Sequence, residues 1–244
     1  MKKSTLSPQE VQRLYASFDA PITTLDCGKK CAPYNEGGKP FCCDICVAVP
    51  TLYESEWAYV RGNTDLWFEW KAESCTDTPQ EAAEEVARLS EETPESMMLA
   101  DCLGPSLCQR DFRGLTCRQF PFFPYIDSQG KLLGLSYYWE YEEQCWVISN
   151  LAVVTEEYRQ QFLAAFEYIF EHVPGEFENY QYHSEVMRDT FNEQRRAIPL
   201  LHRNGYAYKI STHNERMRRV PVESLPKLGP YKLAAEMPFP DEEV

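Results

Sequence analysis

The chain has 244 residues, of which 43% are hydrophobic and 14% aromatic, and it carries a net charge of −14 at pH 7. This length and composition are typical of a globular protein with a substantial buried core, which excludes intrinsic disorder for the chain as a whole. The negative charge argues against a nucleic-acid partner, because a polyanion would be repelled from most of the surface.

The N-terminal segment favours a cytoplasmic protein. It reads MKKSTLSPQE and has no apolar run behind its two lysines, so we expect no secretory signal. We also expect no membrane association, because no apolar run approaches the length of a span. The cytosol keeps thiols reduced, and clustered cysteines there more often hold metal than form disulfides. A secreted disulfide protein is the alternative interpretation.

A short helix is predicted before the first group of cysteines. Ser7 and Glu10 have the spacing of a capping box, with Pro8 at the first helical position, and apolar residues follow at helical spacing. The sequence therefore predicts an amphipathic helix over 8–18 that ends before Pro21.

Five of the ten cysteines lie within twenty residues, spaced C-x3-C-x10-C-C-x2-C. Glycines and prolines between them interrupt regular structure and indicate a loop that wraps around an ion. Core packing does not explain such a gathering, because free cysteines are buried singly rather than in groups. We therefore predict metal ligands at Cys27, Cys31, Cys42, Cys43 and Cys46.

The next stretch is predicted to be helical and rich in aromatic residues. Segments 51–61 and 65–71 read as helices whose Trp and Tyr side chains shield the site from water, although an aromatic stripe is also typical of plain core. Cys75 stands alone among polar residues, and we expect a free thiol there. Thr78 opens a second capping box, which predicts an acidic helix from 79 to about 92.

A second cysteine group begins at Cys102 and has the spacing C-x5-C-x8-C, with Cys108 and Cys117 as its other members. Arg113 and Arg118 are predicted cofactor-binding residues, because guanidinium groups that donate to sulfur offset the charge of several thiolates. The alternative is that both arginines pair with surface carboxylates. The phenylalanines that follow are expected to exclude solvent from the site; they are Phe120, Phe122 and Phe123.

The remaining elements complete an α+β, helix-rich fold. A hairpin is predicted around 128–130 with its second strand over 132–139, and helices are predicted from a cap at Thr155 and over 176–196. A strand is predicted over 207–210. The overall prediction is an irregular cysteine-rich metal-binding core with a small β-hairpin and surrounding helices. We divide it into a cysteine-cluster domain over 1–150 and a helical region over 151–244 packed on it.

Positive charge is concentrated near the C-terminus. Between Arg188 and Lys232 there are ten basic and four acidic residues, a local charge of +6. This region either docks an acidic protein partner or folds against the acidic remainder of the chain. Both interpretations are consistent with the sequence.

The cysteine spacing is more irregular than that of most structural zinc sites. Only Cys43 and Cys46 form a C-x2-C pair, and no second pair matches it. Adjacent cysteines reach a single tetrahedral ion with difficulty, but they can serve two metals or two roles, so an iron–sulfur cluster suits the pattern at least as well as zinc. The four histidines lie far from the cysteines in sequence and are not predicted as ligands.

The second group resembles the second motif of the YkgJ-like cysteine-cluster proteins, a family named for a CxxCxxCC motif and associated with zinc or iron chelation. The shared features are the nine-residue step from Cys108 to Cys117, the two arginines, and the closing Phe-Pro-Phe; Gly114 departs from the family, which usually has proline there. The first motif is looser, because Cys27, Cys31 and Cys42-Cys43 are spread by an insertion. The resemblance covers roughly 25–146 and implies metal ligation that includes Cys102 and a late cysteine, Cys145.

The resemblance implies a metal-binding protein and leaves its reaction open. The cofactor is expected to be an iron–sulfur cluster, with the 4Fe–4S type favoured, or zinc. Some relatives are similar to flagellin lysine N-methylases, so a metal-dependent protein-modifying enzyme is a second hypothesis. An interaction protein with a structural zinc is the third. No catalytic residue is assigned, since the chain shows neither a glycine-rich loop after a strand nor a C-x3-C-x2-C triplet.

Overall fold

The computed structural model describes residues 6–234, and within them helices outweigh strands, which confirms the α+β prediction. The strands form two antiparallel sheets. The helices are α1 (Pro8–Ser17), α2 (Cys27–Cys31), α3 (Glu54–Asn63), α4 (Pro79–Glu92), α5 (Leu115–Gln119), α6 (Glu156–His172), α7 (Glu176–Glu193) and α8 (Tyr231–Ala234). The strands are β1 (Thr51–Tyr53), β2 (Trp67–Glu69), β3 (Met97–Cys102), β4 (Phe122–Ile126), β5 (Leu132–Tyr137), β6 (Ile198–His202), β7 (Ala207–Ile210) and β8 (Met217–Val220).

The larger sheet has the strand order β4-β5-β6-β7-β8. Its first two strands are buried along their whole length, and they form the predicted hairpin around the turn at 128–130. The hairpin is part of a larger sheet than predicted, because β6, β7 and β8 add three strands to β4 and β5. Pro199 inside β6 and the arginines of β8 weaken the local strand signal at those two elements.

The sheet joins the two predicted regions of the chain. β5 lies before residue 150 and pairs with β6, which lies after it, through Gly134 opposite His202 and Leu135 opposite Leu201. The C-terminal region thus contains three strands besides its two long helices. The domain boundary at residue 150 stays a prediction. Such a boundary would assign the hydrogen-bonded strands β5 and β6 to different domains.

The smaller sheet, in the order β1-β3-β2, supports the second cysteine group. The predicted helix over 65–71 is wrong, because these residues contain β2, in which Trp67 pairs with Cys102 at the end of β3. The Trp67 ring is buried and its Nε1 donates to the Phe112 carbonyl at 2.8 Å. The predicted helix over 51–61 is displaced: β1 occupies 51–53 and α3 begins at Glu54.

The capped helices are predicted well. The Ser7 and Thr78 capping boxes begin α1 and α4, as expected. Thr155 caps α6, whose buried stripe includes Tyr158, Phe162 and Phe166 against the core. These elements are predictable because their signals, a cap or an apolar stripe, lie within the helix itself or directly before it.

The basic C-terminal region is paired in part with the chain's own acids. Arg196 donates to Glu142 at 2.9 Å and Arg203 donates to Glu167 at 2.7 Å, and both acids precede the region. On the exposed β8, Arg218 and Arg219 face solvent at the edge of the sheet. Docking of a protein partner to this edge stays a prediction. Among residues 6–234, no helix has both the length and the apolar character that crossing a membrane requires.

The close approach of β5 to β6 depends on glycine at position 134, which has no Cβ. A Cβ at this position would lie 2.2 Å from the Leu201 carbonyl oxygen, and because this atom is backbone, no side-chain rotation can relieve the overlap. We expect Gly134→Ala to lower the free energy of unfolding by about 1–3 kcal/mol or more, because the overlap forces β5 and β6 apart. Gly62→Ala is the matched control, since its Cβ meets nothing within 4 Å.

Gly62 is exposed in the last turn of α3, and Gly62→Ala should raise the free energy of unfolding by about 0.5–1 kcal/mol. Urea unfolding followed by circular dichroism measures both variants. Equal stability of the two variants would contradict the role assigned to Gly134.

Candidate metal centre

Helix α2 carries the first two cysteines. It is one turn long, and Cys27 and Cys31 are its first and last residues, so their side chains lie on the same face. Asp26 caps it by accepting from the backbone N–H of Gly28 at 3.1 Å. Cys31 is buried while Cys27 is half-buried, and burial raises the pKa of the Cys27 thiol to about 11, with a further contribution from Cys31.

The adjacent pair Cys42 and Cys43 lies in a short 3-10 turn at Phe41–Cys43. The Cys42 thiol donates to the Cys43 sulfur, which raises the pKa of Cys42 and lowers the pKa of Cys43 to about 7. Arg113 and Lys39 contribute to this lowering as nearby positive charges. Cys43 is therefore the more acidic thiol of the two.

The three cysteines of the second group converge from three different elements. Cys102 ends β3, Cys108 follows a 3-10 turn, and Cys117 lies in α5. Burial raises the pKa of Cys117, and the nearby sulfurs of Cys102 and Cys108 raise it further. The three thiols are thus close enough for their charges to interact.

Cys145 belongs to the same region, as the family resemblance implied. Its side chain is buried and its pKa is raised to about 12, first by burial and then by Cys27 and Cys31. The backbone N–H groups of Val147 and Ile148 point at its sulfur and oppose this rise. Such donors stabilise a thiolate and are typical of the surroundings of metal-bound sulfur.

Arg113 lies where the sequence predicted it. Its Nε donates to the Cys108 sulfur at 3.3 Å. Burial acts to lower its pKa, but this hydrogen bond and the charges of Cys108, Cys117 and Cys42 raise it overall. The guanidinium is therefore placed to offset the negative charge of thiolates that form at these cysteines.

Arg118 makes no hydrogen bond to a cysteine, so its prediction as a cofactor-binding residue is wrong. Nor does it form an ion pair with a carboxylate of the described residues, as the alternative prediction required. Its side chain is buried under the Tyr15 ring, with the guanidinium carbon 4.5 Å from the ring centroid. Among residues 6–234 its hydrogen-bond partners are all backbone carbonyls, because the C-terminal end of α1 and the loop before α5 both direct carbonyls toward it. These acceptors are Tyr15, Phe18, Arg110, Asp111 and Arg113.

Cys46 and Cys75 form a disulfide, with their Cα atoms 5.2 Å apart. The prediction of Cys46 as a metal ligand and that of Cys75 as a free thiol are both corrected by this bond. The turn that follows Asp44 carries Cys46 away from Cys43 and toward the loop before α4, where Trp70 Nε1 donates to the Ile45 carbonyl at 3.2 Å. The other eight cysteines are free.

Aromatic side chains cover one side of the cysteine region. Phe41 packs against Tyr141 at 5.1 Å between ring centroids and against Phe120 at 6.3 Å. Phe120 thus lies near the site as predicted. Phe122 and Phe123 point instead into the core, where they contact Tyr158 and His183.

Two residues near the site were not found from the sequence. Tyr231 in α8 is buried beside Cys31 and Cys145, and its hydroxyl donates to the Gln144 carbonyl at 2.7 Å. Glu56 is fully buried and accepts from the N–H of Leu115 at 2.8 Å at the start of α5. Tyr231 has no local sequence signal, because its contacts are with distant segments. Glu56 does accept locally from the Tyr53 N–H at the start of α3, but its link to the site is the contact with the distant Leu115.

The donor set suits a metal, although no coordination sphere is already closed. Within residues 6–234, no three His, Cys, Asp or Glu side chains converge on a common point at which an ion would be held. The soft thiols, the N–H groups directed at sulfur and the Arg113 countercharge nevertheless fit zinc or an iron–sulfur cluster. Among the histidines, His183 is half-buried between aromatic rings, and this burial lowers its pKa to about 4.

The acidity of Cys43 gives a prediction for the metal-free protein. Alkylation by iodoacetamide should be fastest at Cys43, and its rate should rise as the pH passes about 7, because the thiolate is the nucleophile. Cys42→Ala removes the hydrogen bond to Cys43, so the rate at pH 7 should fall roughly tenfold or more. Peptide mass mapping measures the alkylation rate of Cys43, and Cys102→Ala is the control. An unchanged alkylation rate of Cys43 in the Cys42→Ala variant would contradict the hydrogen bond between the two thiols.

The chain matches no protein-family model, no curated protein and no solved structure. The resemblance to the YkgJ-like family therefore stays a prediction, carried by the residues of the second motif.

Proposed function

We propose that this protein binds metal through its free cysteines, as an iron–sulfur cluster, with the 4Fe–4S type favoured, or as zinc. One observation carries the proposal: four separated parts of the chain bring eight free thiols and Arg113 into one region. The ligands proposed are Cys27, Cys31, Cys42, Cys43, Cys102, Cys108, Cys117 and Cys145.

Electrostatics supports a bound cation. Burial and neighbouring sulfurs raise the pKa of most of these thiols, so deprotonating them costs free energy in the absence of a positive partner. A metal ion inverts this effect, because a coordinated thiol is deprotonated outright and its negative charge becomes attractive. The arrangement is therefore expected to gain stability from metal binding.

The redox state of the cysteines also indicates the cellular compartment of the protein. Neighbouring cysteines in an oxidising compartment usually pair, whereas eight remain free here and only Cys46 and Cys75 are joined. We propose a cytoplasmic protein on this basis. Enzymatic protein modification and partner docking stay as the alternative predictions made from the sequence.

Substitution of one proposed ligand tests the proposal. Protein purified without air should carry metal, and Cys117→Ser should lose some or all of it together with a lower thermal midpoint. The double variant Cys46→Ser/Cys75→Ser is the control, because these residues are not proposed ligands, and it should keep the full metal content. Unchanged metal content in Cys117→Ser would count against the proposal.

A further inference from the structure

We propose that a cavity between α6 and the larger sheet binds a small organic carboxylate with an apolar body. The cavity has a volume of about 490 Å³, and its lining comes from the segment before α6, α6 itself, the turn between β6 and β7, and the end of β8. Small-molecule sites in proteins have volumes of roughly 300–1,000 Å³. None of the described residues that line the cavity is a cysteine, so the inference is independent of metal binding.

The inner wall of the cavity is apolar. Leu151 and Val154 come from the segment that precedes α6, while Leu201 and Ala207 come from β6 and β7. All four side chains are buried. Such a wall favours a ligand with an apolar body, because contact with it removes apolar surface of the ligand from water.

Two guanidinium groups supply positive charge at the same cavity. Arg159 Nη1 donates to the Gly205 carbonyl at 3.1 Å, and the guanidinium carbon of Arg219 lies 3.3 Å from the centroid of the Tyr206 ring. All four residues line the cavity. Because Gly205 and Tyr206 are consecutive, the turn between β6 and β7 holds both guanidinium groups beside the same space.

Arg159 keeps hydrogen-bonding capacity for a ligand. Its side chain pairs with Glu156 in the first turn of α6, but its buried Nε has no hydrogen-bond acceptor among residues 6–234. A guanidinium carries five N–H donors, so the contacts with Glu156 and Gly205 do not exhaust it. Glu156 offsets part of the charge of Arg159, although this carboxylate is not among the residues that line the cavity.

Arg219 is the more accessible of the two cations. It is exposed, and within the described part of the chain no carboxylate lies at ion-pair distance from it, whereas Arg196 of the same basic region pairs with Glu142. Contact with the face of Tyr206 leaves the N–H groups at the edge of the guanidinium free to donate. A carboxylate matches two such N–H groups with its two oxygens.

The surroundings favour a carboxylate over a phosphate. Proteins usually bind phosphate through free backbone N–H groups at the start of a helix. At the start of α6, however, the Tyr158 N–H already donates to Thr155, and Glu156 and Glu157 occupy the first turn. These carboxylates repel a dianion more strongly than a monoanion. A monocarboxylate is therefore the ligand that the charges of the cavity suit.

Isothermal titration calorimetry on anaerobically purified protein tests the inference with butanoate, hexanoate, octanoate and phenylacetate. At least one of these carboxylates should bind the wild type. The corresponding neutral amide should bind about tenfold more weakly or worse, because it lacks the charge that the guanidinium groups recognise. Added salt should weaken the binding of the carboxylate, since Arg219 is exposed.

Two neighbouring arginines provide a variant and its matched control. Arg219→Gln removes one guanidinium from an exposed position, so the circular dichroism spectrum should not change while carboxylate affinity falls about tenfold or more. Arg218→Gln removes the same charge from the adjacent exposed residue, which does not line the cavity, and it should bind like the wild type.

Three results would overturn the carboxylate site. They are equal affinity of the wild type and Arg219→Gln, absence of binding by every carboxylate tested, and tighter binding of inorganic phosphate than of any carboxylate. The metal content of Arg219→Gln should equal that of the wild type. Failure of this inference would therefore leave the proposed metal binding intact, and a metal-free protein would leave the carboxylate site intact.

Discussion

Replacing Arg118 by alanine should lower the free energy of unfolding by about 3–5 kcal/mol, because a buried guanidinium that satisfies several carbonyls is lost. Arg118 joins the C-terminal end of α1 to the loop before α5, with its Nη1 donating to Phe18 at 2.5 Å and its Nε donating to Arg113 at 2.8 Å. Without it, these buried acceptors have neither a donor nor free access to water. Chemical denaturation measures the change.

Two control variants separate the charge of Arg118 from its shape. Arg118→Lys keeps the charge but not the planar set of donors, so it should also lose stability, by about 2 kcal/mol. Arg110→Ala should leave the denaturation midpoint unchanged, because that side chain is exposed. If Arg118→Ala denatured at the same midpoint as Arg110→Ala, the structural role given to Arg118 would be wrong.

Glu56→Ala is the second substitution with a large expected effect, again about 3–5 kcal/mol of unfolding free energy. The Glu56 carboxyl accepts from the Tyr15 hydroxyl at 2.8 Å and from the Tyr53 N–H at 3.1 Å, in addition to Leu115. Its removal leaves three buried donors unpaired and releases the start of α5, which carries Cys117. The exposed Glu69→Ala is the matched control.

The effect of Glu56 should depend on pH. Burial raises the pKa of Glu56 in the folded protein, so its contribution to stability is complete below the unfolded pKa and decreases as the pH rises through the folded pKa. Glu56→Gln does not titrate. Its stability deficit relative to the wild type should therefore be largest in acid and narrow as the pH is raised, and a deficit that widened instead would show that the carboxylate is favoured in the fold.

The sequence predicts the elements whose signals are local. Both capping boxes, the hairpin turn and the long stripe of α6 are read within a few residues, and all of them are confirmed. β2 and β6 are different, because they are defined by partners far along the chain. The aromatic run at 67–70 is compatible with either a helix or a strand, and only its pairing with β3 decides the outcome.

The residues of the candidate site also fall into those that the sequence predicts correctly and those that it does not. Eight cysteines and Arg113 were predicted from spacing and resemblance, and the structure brings them together. Cys46 was predicted wrongly because its C-x2-C spacing with Cys43 resembles a metal knuckle, whereas its partner Cys75 is 29 residues away. Arg118 follows Cys117 directly, but α5 directs its side chain toward α1 instead of toward sulfur.

Metal binding is tested most directly by the metal and acid-labile sulfide content of protein purified without air, together with its visible absorption spectrum. We expect bound metal: iron and sulfide in near-equal amounts with a brown colour for a cluster, or zinc in colourless protein. Protein that carries neither metal, while thiol titration finds the eight cysteines reduced and accessible, would contradict this expectation.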